Sequence, residues 1–372
     1  MRSVLISLLS LMIVSAAPAR AAANSDGPAA PRRLLELEDF PICSLAADDT
    51  NLYFVTPARP QKPTDTGVEL QVMSKSGGAP RRIFSTASLR SAPALDGGNA
   101  YFLGPRGALQ RTSLAGGRPT TLVEPRRIAA LIGGVRAPDD PELTPCGMPT
   151  AGLPRLARTV VVDRDAVFWL DVPGAALLRV AKRGGIPLVL ARRLSLTAAS
   201  AHLAEAGDFL YFTSREPGGD RLMRIEKQRS GKATEVARLP GGAPFVVGPA
   251  GIAWASDDEV IGLSDPARPS FRWALPPPKT AGFWTAPVCD LAADGETFVV
   301  SRCSHPGEGL VFSISGPRGD HRVLVSRRAC PVDLVVDGDS VYFVEIGQKA
   351  PAQSTVDRSD CCSLWSVRRS RR

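Results

Sequence analysis

The side chains best suited to chemistry in this sequence are its cysteines. There are seven: Cys43, Cys146, Cys289, Cys303, Cys330, Cys361 and Cys362. Neighbouring cysteines form disulfides in an oxidising compartment, whereas structural zinc sites need closely spaced pairs of ligands. The spacing here does not form such pairs, so the sequence predicts disulfides and no metal site. Because the number is odd, at least one cysteine is unpaired or pairs elsewhere.

Acid–base chemistry has few candidates. The three histidines are His202, His305 and His321. His305, two residues after Cys303, is the best of them; His202 is expected to be structural and His321 to lie in a solvent-exposed turn. The sequence contains no phosphate-binding loop, dinucleotide fingerprint, Gly-x-Ser-x-Gly elbow or His-Glu-x-x-His motif. No catalytic residue and no cofactor are therefore predicted.

Acidic residues complete the set of predicted binding residues. Asp139 and Asp140 stand among prolines and lack the ligand spacing of a calcium loop, which supplies about six to eight oxygens. We expect them to be solvated in a long loop. Asp290 and Asp333 follow two of the cysteines closely. The predicted binding residues are Asp290, His305, Asp333, Asp139 and Asp140.

The first 23 residues read as a signal peptide. Arg2 gives a positive start, residues 4–17 are almost entirely apolar, and residues 19–23 offer small-x-small cleavage sites. The apolar run is too short to span a bilayer. No other run is long enough to cross a membrane, so we expect an exported protein without a membrane span, either secreted or periplasmic.

Composition favours an all-β chain. Among 372 residues, 44% are hydrophobic and 22% charged, which excludes a disordered chain. Gly 34 and Pro 33 together reach about 18%, above an average of about 12%, which indicates many turns. The net charge of +8 comes without the stacking aromatics or recognition element of a nucleic-acid binder. We expect no nucleic-acid partner and a monomer.

An internal repeat organises the chain. Seven copies of one hairpin pattern join a short apolar strand, an Asp/Gly/Asn turn and a strand that usually carries an aromatic residue. The repeat predicts equivalent positions for these aromatic residues: Tyr53, Tyr101, Trp169, Tyr211, Trp254 and Tyr342. A second hairpin with a glycine turn follows several copies. Four strands recurring about every 40–50 residues are typical of a β-propeller blade.

The predicted fold is thus an all-β, seven-bladed β-propeller with four-stranded antiparallel blades, with six blades as the alternative. It forms a single domain over residues 24–372. One interval is longer than the others and contains a proline-rich insertion at about residues 124–158.

Ring closure is predicted to involve the N-terminal segment. The last unit provides only three strands, ending with residues 363–368. Residues 31–34 (Pro-Arg-Arg-Leu) match residues 80–83 (Pro-Arg-Arg-Ile), which begin the outer strand of the first unit. We therefore expect residues 31–38 to pair with residues 363–368, because an open ring would leave unpaired strand edges.

Propeller geometry places all seven cysteines on one rim, mostly around units 6, 7 and 1. Neighbouring blades favour Cys303 with Cys330, and Cys43 with Cys361 or Cys362. Cys289 is the rival partner for Cys303, directly across a hairpin. A disulfide requires Cα atoms within about 7 Å.

A family resemblance follows from the third unit. Residues 167–171 (Val-Phe-Trp-Leu-Asp), 178–180 and the glycine pair 184–185 resemble the YWTD-type propeller repeat of lipoprotein-receptor ectodomains. They are also similar to secreted bacterial propellers built on such units. The resemblance covers nearly the whole mature chain and implies the fold, but propellers host many functions. YWTD propellers have six blades, and the other copies here read Tyr-Phe rather than Tyr-Trp.

The function that these observations favour is non-catalytic binding. The partner would be a protein, peptide or glycan, held on the cysteine-bearing rim. The alternative is an enzyme of the propeller channel, of lyase or cyclising-transferase type.

Overall fold

Seven four-stranded antiparallel sheets make up the protein in a computed structural model. The structure describes residues 30–37, 41–58, 67–133, 157–197, 201–248, 251–256, 259–263, 271–275, 288–295, 297–303, 309–315, 319–328, 330–345 and 363–369. The predicted signal peptide lies outside these ranges.

The strands are numbered along the chain. The first, β1 (Arg32–Glu36), belongs to the last blade. Blade 1 contains β2 (Ser44–Ala47), β3 (Asn51–Pro57), β4 (Val68–Ser74) and β5 (Arg81–Thr86). Blade 2 contains β6 (Ala94–Asp96), β7 (Asn99–Leu103), β8 (Leu109–Ser113) and β9 (Thr120–Val123). Blade 3 contains β10 (Val160–Val162), β11 (Ala166–Asp171), β12 (Ala176–Ala181) and β13 (Leu188–Ala191).

The remaining blades follow the same order. Blade 4 contains β14 (Leu203–Ala206), β15 (Phe209–Glu216), β16 (Gly219–Glu226) and β17 (Thr234–Leu239). Blade 5 contains β18 (Phe245–Gly248), β19 (Gly251–Ala255), β20 (Glu259–Leu263) and β21 (Phe271–Ala274). Blade 6 contains β22 (Val288–Asp294), β23 (Thr297–Arg302), β24 (Gly309–Ser315) and β25 (Asp320–Arg328). Blade 7 contains β26 (Pro331–Asp337), β27 (Ser340–Glu345), β28 (Ser363–Arg368) and β1.

The first strand of each blade faces a central channel. These seven inner strands contact one another in the order β2, β6, β10, β14, β18, β22 and β26, and β26 contacts β2 again. The contacts therefore close a ring. The predicted seven-bladed β-propeller is confirmed, and the six-bladed alternative is wrong.

Blade 7 is completed by both ends of the described chain. Strand β1 pairs antiparallel with β28, with Arg32 opposite Ser366 and Glu36 opposite Ser363. Leu34 and Leu35 pack against the core between blades 7 and 1. The predicted closure of the ring by the N-terminal strand is confirmed.

Each pair of neighbouring blades encloses its own apolar core. Two consecutive residues of every second strand point to opposite sides, one toward each neighbouring blade. In blade 1, Tyr53 packs with Phe102 of blade 2, and Phe54 packs with Tyr342 of blade 7. The other interfaces pair Tyr101 with Trp169, Phe168 with Phe212, Tyr211 with Trp254, Ala253 with Val300, and Val299 with Phe343.

This register corrects one expectation about the repeat. Tyr53, Tyr101, Tyr211 and Tyr342 are equivalent, but Trp169 lies one residue further from its hairpin turn, opposite Val160. Trp254 is displaced in the same way, opposite Phe245. The reason is that either of two consecutive positions buries a large ring, each against a different neighbouring blade.

Ion pairs join neighbouring blades on the turn face, which carries the turns at residues 97–98 and 116–117. A cation after the third strand of one blade contacts an acid in the first hairpin of the preceding blade. These pairs are Lys75–Asp337, Lys182–Asp96, Lys227–Asp163 and Arg369–Asp294. Each pair is worth little by itself, but the repetition gives four of the blade interfaces the same contact on this face.

Blade 2 lacks this cation. Leu114 occupies the cation's position, because its amide donates the same backbone hydrogen bond to the hairpin turn as the amides of the cations do. A cavity of about 410 Å³ lies beside Leu114 and Tyr53.

Asp48 of blade 1, which has no cation partner here among the described residues, accepts a hydrogen bond from the Tyr53 hydroxyl. Burial raises the pKa of Asp48, but hydrogen bonds from Tyr53 and two backbone amides outweigh it and lower that pKa to about 2. Burial and the same bond raise the pKa of Tyr53 to about 12.

One helix, α1 (Pro125–Ile132), begins the predicted insertion. It begins at a proline and ends at Gly133, whose left-handed backbone (φ 69°) suits glycine at a helix C-terminus. Its Ile128 is buried in the core between blades 2 and 3. Residues 134–156 of the insertion lie outside the described ranges. No helix in the described part of the chain is long and apolar enough to cross a membrane.

Replacing Trp169 with Ala should destabilise the protein by about 3–5 kcal/mol, because the ring is fully buried and leaves a cavity between blades 2 and 3. Urea unfolding followed by circular dichroism measures the loss. Ile186→Ala, at a side chain that is 82% exposed, is the control and should leave stability unchanged. A loss under about 1 kcal/mol for Trp169→Ala would contradict this packing.

Deleting residues 31–38 should lower the melting temperature and produce oligomers. The deletion removes the strand that pairs with β28 and exposes an edge that binds other strands. Light scattering after size-exclusion chromatography and a thermal melt test both effects. A deletion of residues 24–29 is the matched control, and equal melting temperatures for the two deletions would show that β1 does not close the ring.

Candidate functional site

The links that lead into the inner strands open on one face of the ring. We call it the cysteine face, defined by Cys289, Cys303 and Cys330. The links between the second and third strands open on the same side, opposite the turn face. Two short sequences there are similar: Cys289 and Asp290 enter β22, as Cys43 and Ser44 enter β2.

Asp290 lies at the start of β22, opposite Ser301 of β23, and is 2% exposed. One carboxylate oxygen accepts a hydrogen bond from the Leu291 amide at 2.9 Å. The other accepts one from the Leu334 amide of blade 7 at 2.7 Å. A single buried carboxylate thus joins the inner strands of blades 6 and 7.

Asp333 explains how the Leu334 amide reaches Asp290. The β26–β27 register shifts between Val332 and Val335, and Asp333 within this bulge has a left-handed backbone with φ 50°. A bulge turns the following amide out of the regular ladder. The structure therefore brings two predicted binding residues, Asp290 and Asp333, onto adjacent inner strands at the mouth of the channel, both 2% exposed.

Arg158 reaches Asp290 from the other side of the ring. Arg158 precedes β10 of blade 3, and one of its guanidinium nitrogens lies 3.7 Å from a carboxylate oxygen of Asp290. Blades 3 and 6 are not neighbours, so this ion pair crosses the channel mouth. The Arg158 carbonyl also accepts a hydrogen bond from the Leu203 amide at 2.7 Å, which holds the segment against blade 4.

These contacts favour a structural role for Asp290. A general base must offer a lone pair to its substrate at hydrogen-bond distance. Both carboxylate oxygens of Asp290 already accept hydrogen bonds from backbone amides, and Arg158 neutralises the charge. An ion pair between blades 3 and 6 therefore spans the channel mouth.

The sulfur atoms of Cys289, Cys303 and Cys330 converge beside Asp290, all within 4.8 Å of one another. The Cys303 sulfur lies at bonding distance of both others, with Cα–Cα distances of 6.1 Å to Cys289 and 4.4 Å to Cys330. Both distances suit a disulfide, and one sulfur can form only one, so the two bonds are alternatives. Cys43 is also in a disulfide, whose other half lies outside the described residues.

Several of the residues predicted to bind a ligand or form disulfides have no described position. His305, Asp139, Asp140, Cys146, Cys361 and Cys362 lie outside the described residues. Of the other two histidines, His202 packs its ring 4.3 Å from the ring of Phe245, and His321 is exposed.

Unusual backbone conformations also mark the cysteine face. Among the described residues other than glycine, five have positive φ: Arg106, Ala175, Arg193, Arg327 and Asp333. All five lie on links or strand ends of this face, whereas the positive-φ positions described on the turn face are glycines. Such conformations cost of the order of 1–3 kcal/mol and cluster at functional sites. Arg106, Arg193 and Arg327 are exposed.

Sequence reasoning missed Arg158 and these three arginines. Arg158 belongs to the insertion predicted at residues 124–158, and nothing local indicates that its partner is in blade 6. The left-handed arginines carry no sequence signal, because glycine or asparagine is the expected residue at such positions.

Comparison with known proteins shows the fold alone. Neither a protein-family model nor a curated protein matches the chain. The structure of a puromycin-hydrolysing peptidase from Mycobacterium tuberculosis is similar with a TM-score of 0.58 and 15% identity, over 88% of this chain and 51% of that one. A structure from a study of two prolyl endopeptidases has a TM-score of 0.51 and 11% identity, over 88% of this chain and 50% of that one.

The chain spans about half the length of these two peptidase structures, so their activities do not transfer to it. A nidogen/laminin complex also matches, with 14% identity over 75% of this chain and 88% of that one. Its TM-score of 0.43 is too low to carry an argument. Membership of the YWTD type stays a prediction.

Replacing Asp290 with Ala should lower the free energy of unfolding by about 2–3 kcal/mol, because buried amides lose a charged acceptor. Urea unfolding measures the change, and Asp165→Ala, at an exposed acid of the turn face, should have almost no effect. Arg158→Ala should cost less, because its side chain is 31% exposed. If Asp290→Ala were as stable as the unmodified protein, the structural role would be contradicted, and a ligand-binding role for this carboxylate would be favoured instead.

Proposed function

We propose that the protein is an exported, non-catalytic binding propeller that holds a protein, peptide or glycan on its cysteine face. The observation that carries the proposal is the concentration of left-handed, non-glycine residues on that face. Glycine would relieve this strain at each position, as it does on the turn face. Arginine in its place is best explained by what the side chain binds.

The charge of these positions suggests the class of ligand. Arg106, Arg193 and Arg327 are exposed cations on blades 2, 3 and 6, so they are distributed over three blades of the cysteine face. Guanidinium groups bind carboxylates and phosphates through paired hydrogen bonds. The ligand is therefore an anionic stretch of peptide or glycan that lies across the ring.

The channel mouth supports binding over catalysis. The ion pair with Arg158 and the hydrogen bond from the Leu334 amide engage Asp290, one of the two buried acids at the channel mouth. A rigid ring whose links form one surface is the usual way in which a scaffold positions binding residues. Export rests on the predicted signal peptide alone.

Binding can be tested on residues 24–372 with poly-L-glutamate and polygalacturonate as anionic probes, and with poly-L-glutamine and dextran as neutral ones. We expect an anionic probe to bind and salt to weaken it. The triple variant Arg106→Gly, Arg193→Gly and Arg327→Gly should bind about 10–100-fold more weakly, since three exposed ion pairs are worth roughly 0.5–1 kcal/mol each. Its stability should stay equal or rise, because glycine relieves the left-handed strain.

The matched control replaces three exposed arginines of the turn face, Arg118, Arg183 and Arg229, with glycine. It removes the same charge and should keep the affinity. If both triple variants lost the same amount of affinity, net charge alone would explain the effect, and the cysteine face would not be the binding face. Chemical turnover of a probe would instead favour the channel enzyme.

A further inference from the structure

The interface between blades 1 and 2 departs from the repeat on the turn face. At four interfaces, a cation after the third strand of one blade pairs with an acid of the preceding blade. Here the acid is present as Asp48, but Leu114 stands in the cation's position. Leu114 and Lys75 are equivalent, because both come two positions before a glycine pair and both amides donate to the turn of their own blade's first hairpin.

The interface between blades 3 and 4 shows the complete arrangement. Oδ1 of Asp163 accepts hydrogen bonds from the amides of Asp165 and Ala166 at 2.9 and 2.8 Å, which hold the carboxylate on its turn. Oδ2 of Asp163 lies 3.5 Å from the ammonium nitrogen of Lys227. One carboxylate oxygen therefore holds the turn, and the other holds the cation.

Asp48 has the same arrangement except for the cation. Its Oδ1 accepts hydrogen bonds from the amides of Thr50 and Asn51 at 2.8 and 2.7 Å. Its Oδ2 accepts one from the Tyr53 hydroxyl at 2.5 Å, and no cation among the described residues forms an ion pair with it. Burial raises the pKa of Asp48, but the hydrogen bonds outweigh burial and lower that pKa to about 2. The carboxylate is therefore charged at neutral pH, and the neutral hydroxyl leaves its charge uncompensated.

A cavity of about 410 Å³ lies at this interface. Its volume is within the range of small-molecule sites, about 300–1,000 Å³. Leu114, Val72 and Met73 contribute to its wall, and so does Tyr53, whose hydroxyl reaches Asp48. A lysine packs its methylene groups on apolar surface and keeps its ammonium group at a polar one. The cavity offers both kinds of surface.

Arg81 limits which cations fit. It begins β5, the outermost strand of blade 1, and also lines the cavity. Its guanidinium donates hydrogen bonds to the carbonyls of Leu114 and Ala115 at 3.3 Å each. A second positive charge on the ligand would be repelled there, whereas a neutral or anionic group would be tolerated or attracted. A lysine therefore fits better than a diamine.

We propose that this cavity binds the side-chain ammonium group of a lysine, supplied either as the free amino acid or by a partner protein. The ammonium donates hydrogen bonds to Oδ2 of Asp48 and to the hydroxyl oxygen of Tyr53, and the methylene groups contact Leu114. The ligand thus completes the ion pair that the other interfaces make within the chain. The site lies on the turn face and does not depend on the anionic ligand of the cysteine face, so either proposal can fail alone.

Calorimetric titration at low salt tests the ligand. The probes are free lysine and a lysine capped as its N-acetyl methylamide. The controls are norleucine and Nε-acetyl-lysine, which lack the side-chain charge, and cadaverine, which carries a second one. We expect both lysine probes to bind at one site, salt to weaken them, and all three controls to bind at least tenfold more weakly. Tighter binding of free lysine would identify the amino acid as the ligand, and equal or tighter binding of the capped form would identify a protein side chain.

Two variants test the site. Asp48→Asn keeps an oxygen for the turn amides but removes the charge, so lysine should bind at least tenfold more weakly. Asp163→Asn is the matched control and should keep the affinity, because that acid is already paired with Lys227. Leu114→Lys supplies the cation within the chain, so it should abolish lysine binding and raise the melting temperature. It decides the question if circular dichroism shows that Asp48→Asn does not fold.

Three results would overturn the proposal. The first is no binding of either lysine probe at about 10 mM, a concentration that would occupy even a millimolar site. The second is norleucine or Nε-acetyl-lysine binding as tightly as lysine, since the ammonium group would then not be recognised. The third is undiminished lysine binding in a folded Asp48→Asn or Leu114→Lys variant, which would place the ligand elsewhere.

Discussion

The structure depends on the burial of both sides of every blade. A blade is a four-stranded sheet with large apolar residues on two faces, so neither face is satisfied unless a neighbour covers it. Consecutive residues such as Tyr53 and Phe54 therefore serve two different cores. Because each core requires two blades, removing a blade would expose both of its neighbours, and the closed ring leaves no blade face uncovered.

The two faces of the ring have separate tasks. On the turn face, glycine turns and repeated ion pairs such as Lys182–Asp96 make one blade resemble the next. On the cysteine face, the blades differ from one another. Strand β26 is bulged, the Arg158 side chain crosses the channel mouth, and arginines occupy positions with a left-handed backbone. Departures from local preference are expected where function outweighs stability.

The blades could be predicted from the sequence because the patterns that specify their strands and turns lie within short stretches of the chain. Period-two apolar strands and Asp/Gly turns recur in each unit, and the match between residues 31–34 and 80–83 revealed the closing strand. The exact packing position of Trp169 was not readable, since both consecutive positions of a second strand are apolar and differ only in which neighbour they meet. Asp290 and Asp333 were among the predicted binding residues. Arg158 was not, because its contact with Asp290 joins blades on opposite sides of the ring, and no periodicity records such a pairing.

The closing strand has a consequence for how the protein is made. Strand β1 precedes all the other strands described in the chain, and its partner β28 follows them. Until β28 is present, β1 and β27 lack the strand that lies between them in the finished blade. Closing so long a loop is the slowest kind of contact to form. Blade 7 can therefore be completed only after β28 has been made, through a strand pairing that joins segments about 330 residues apart.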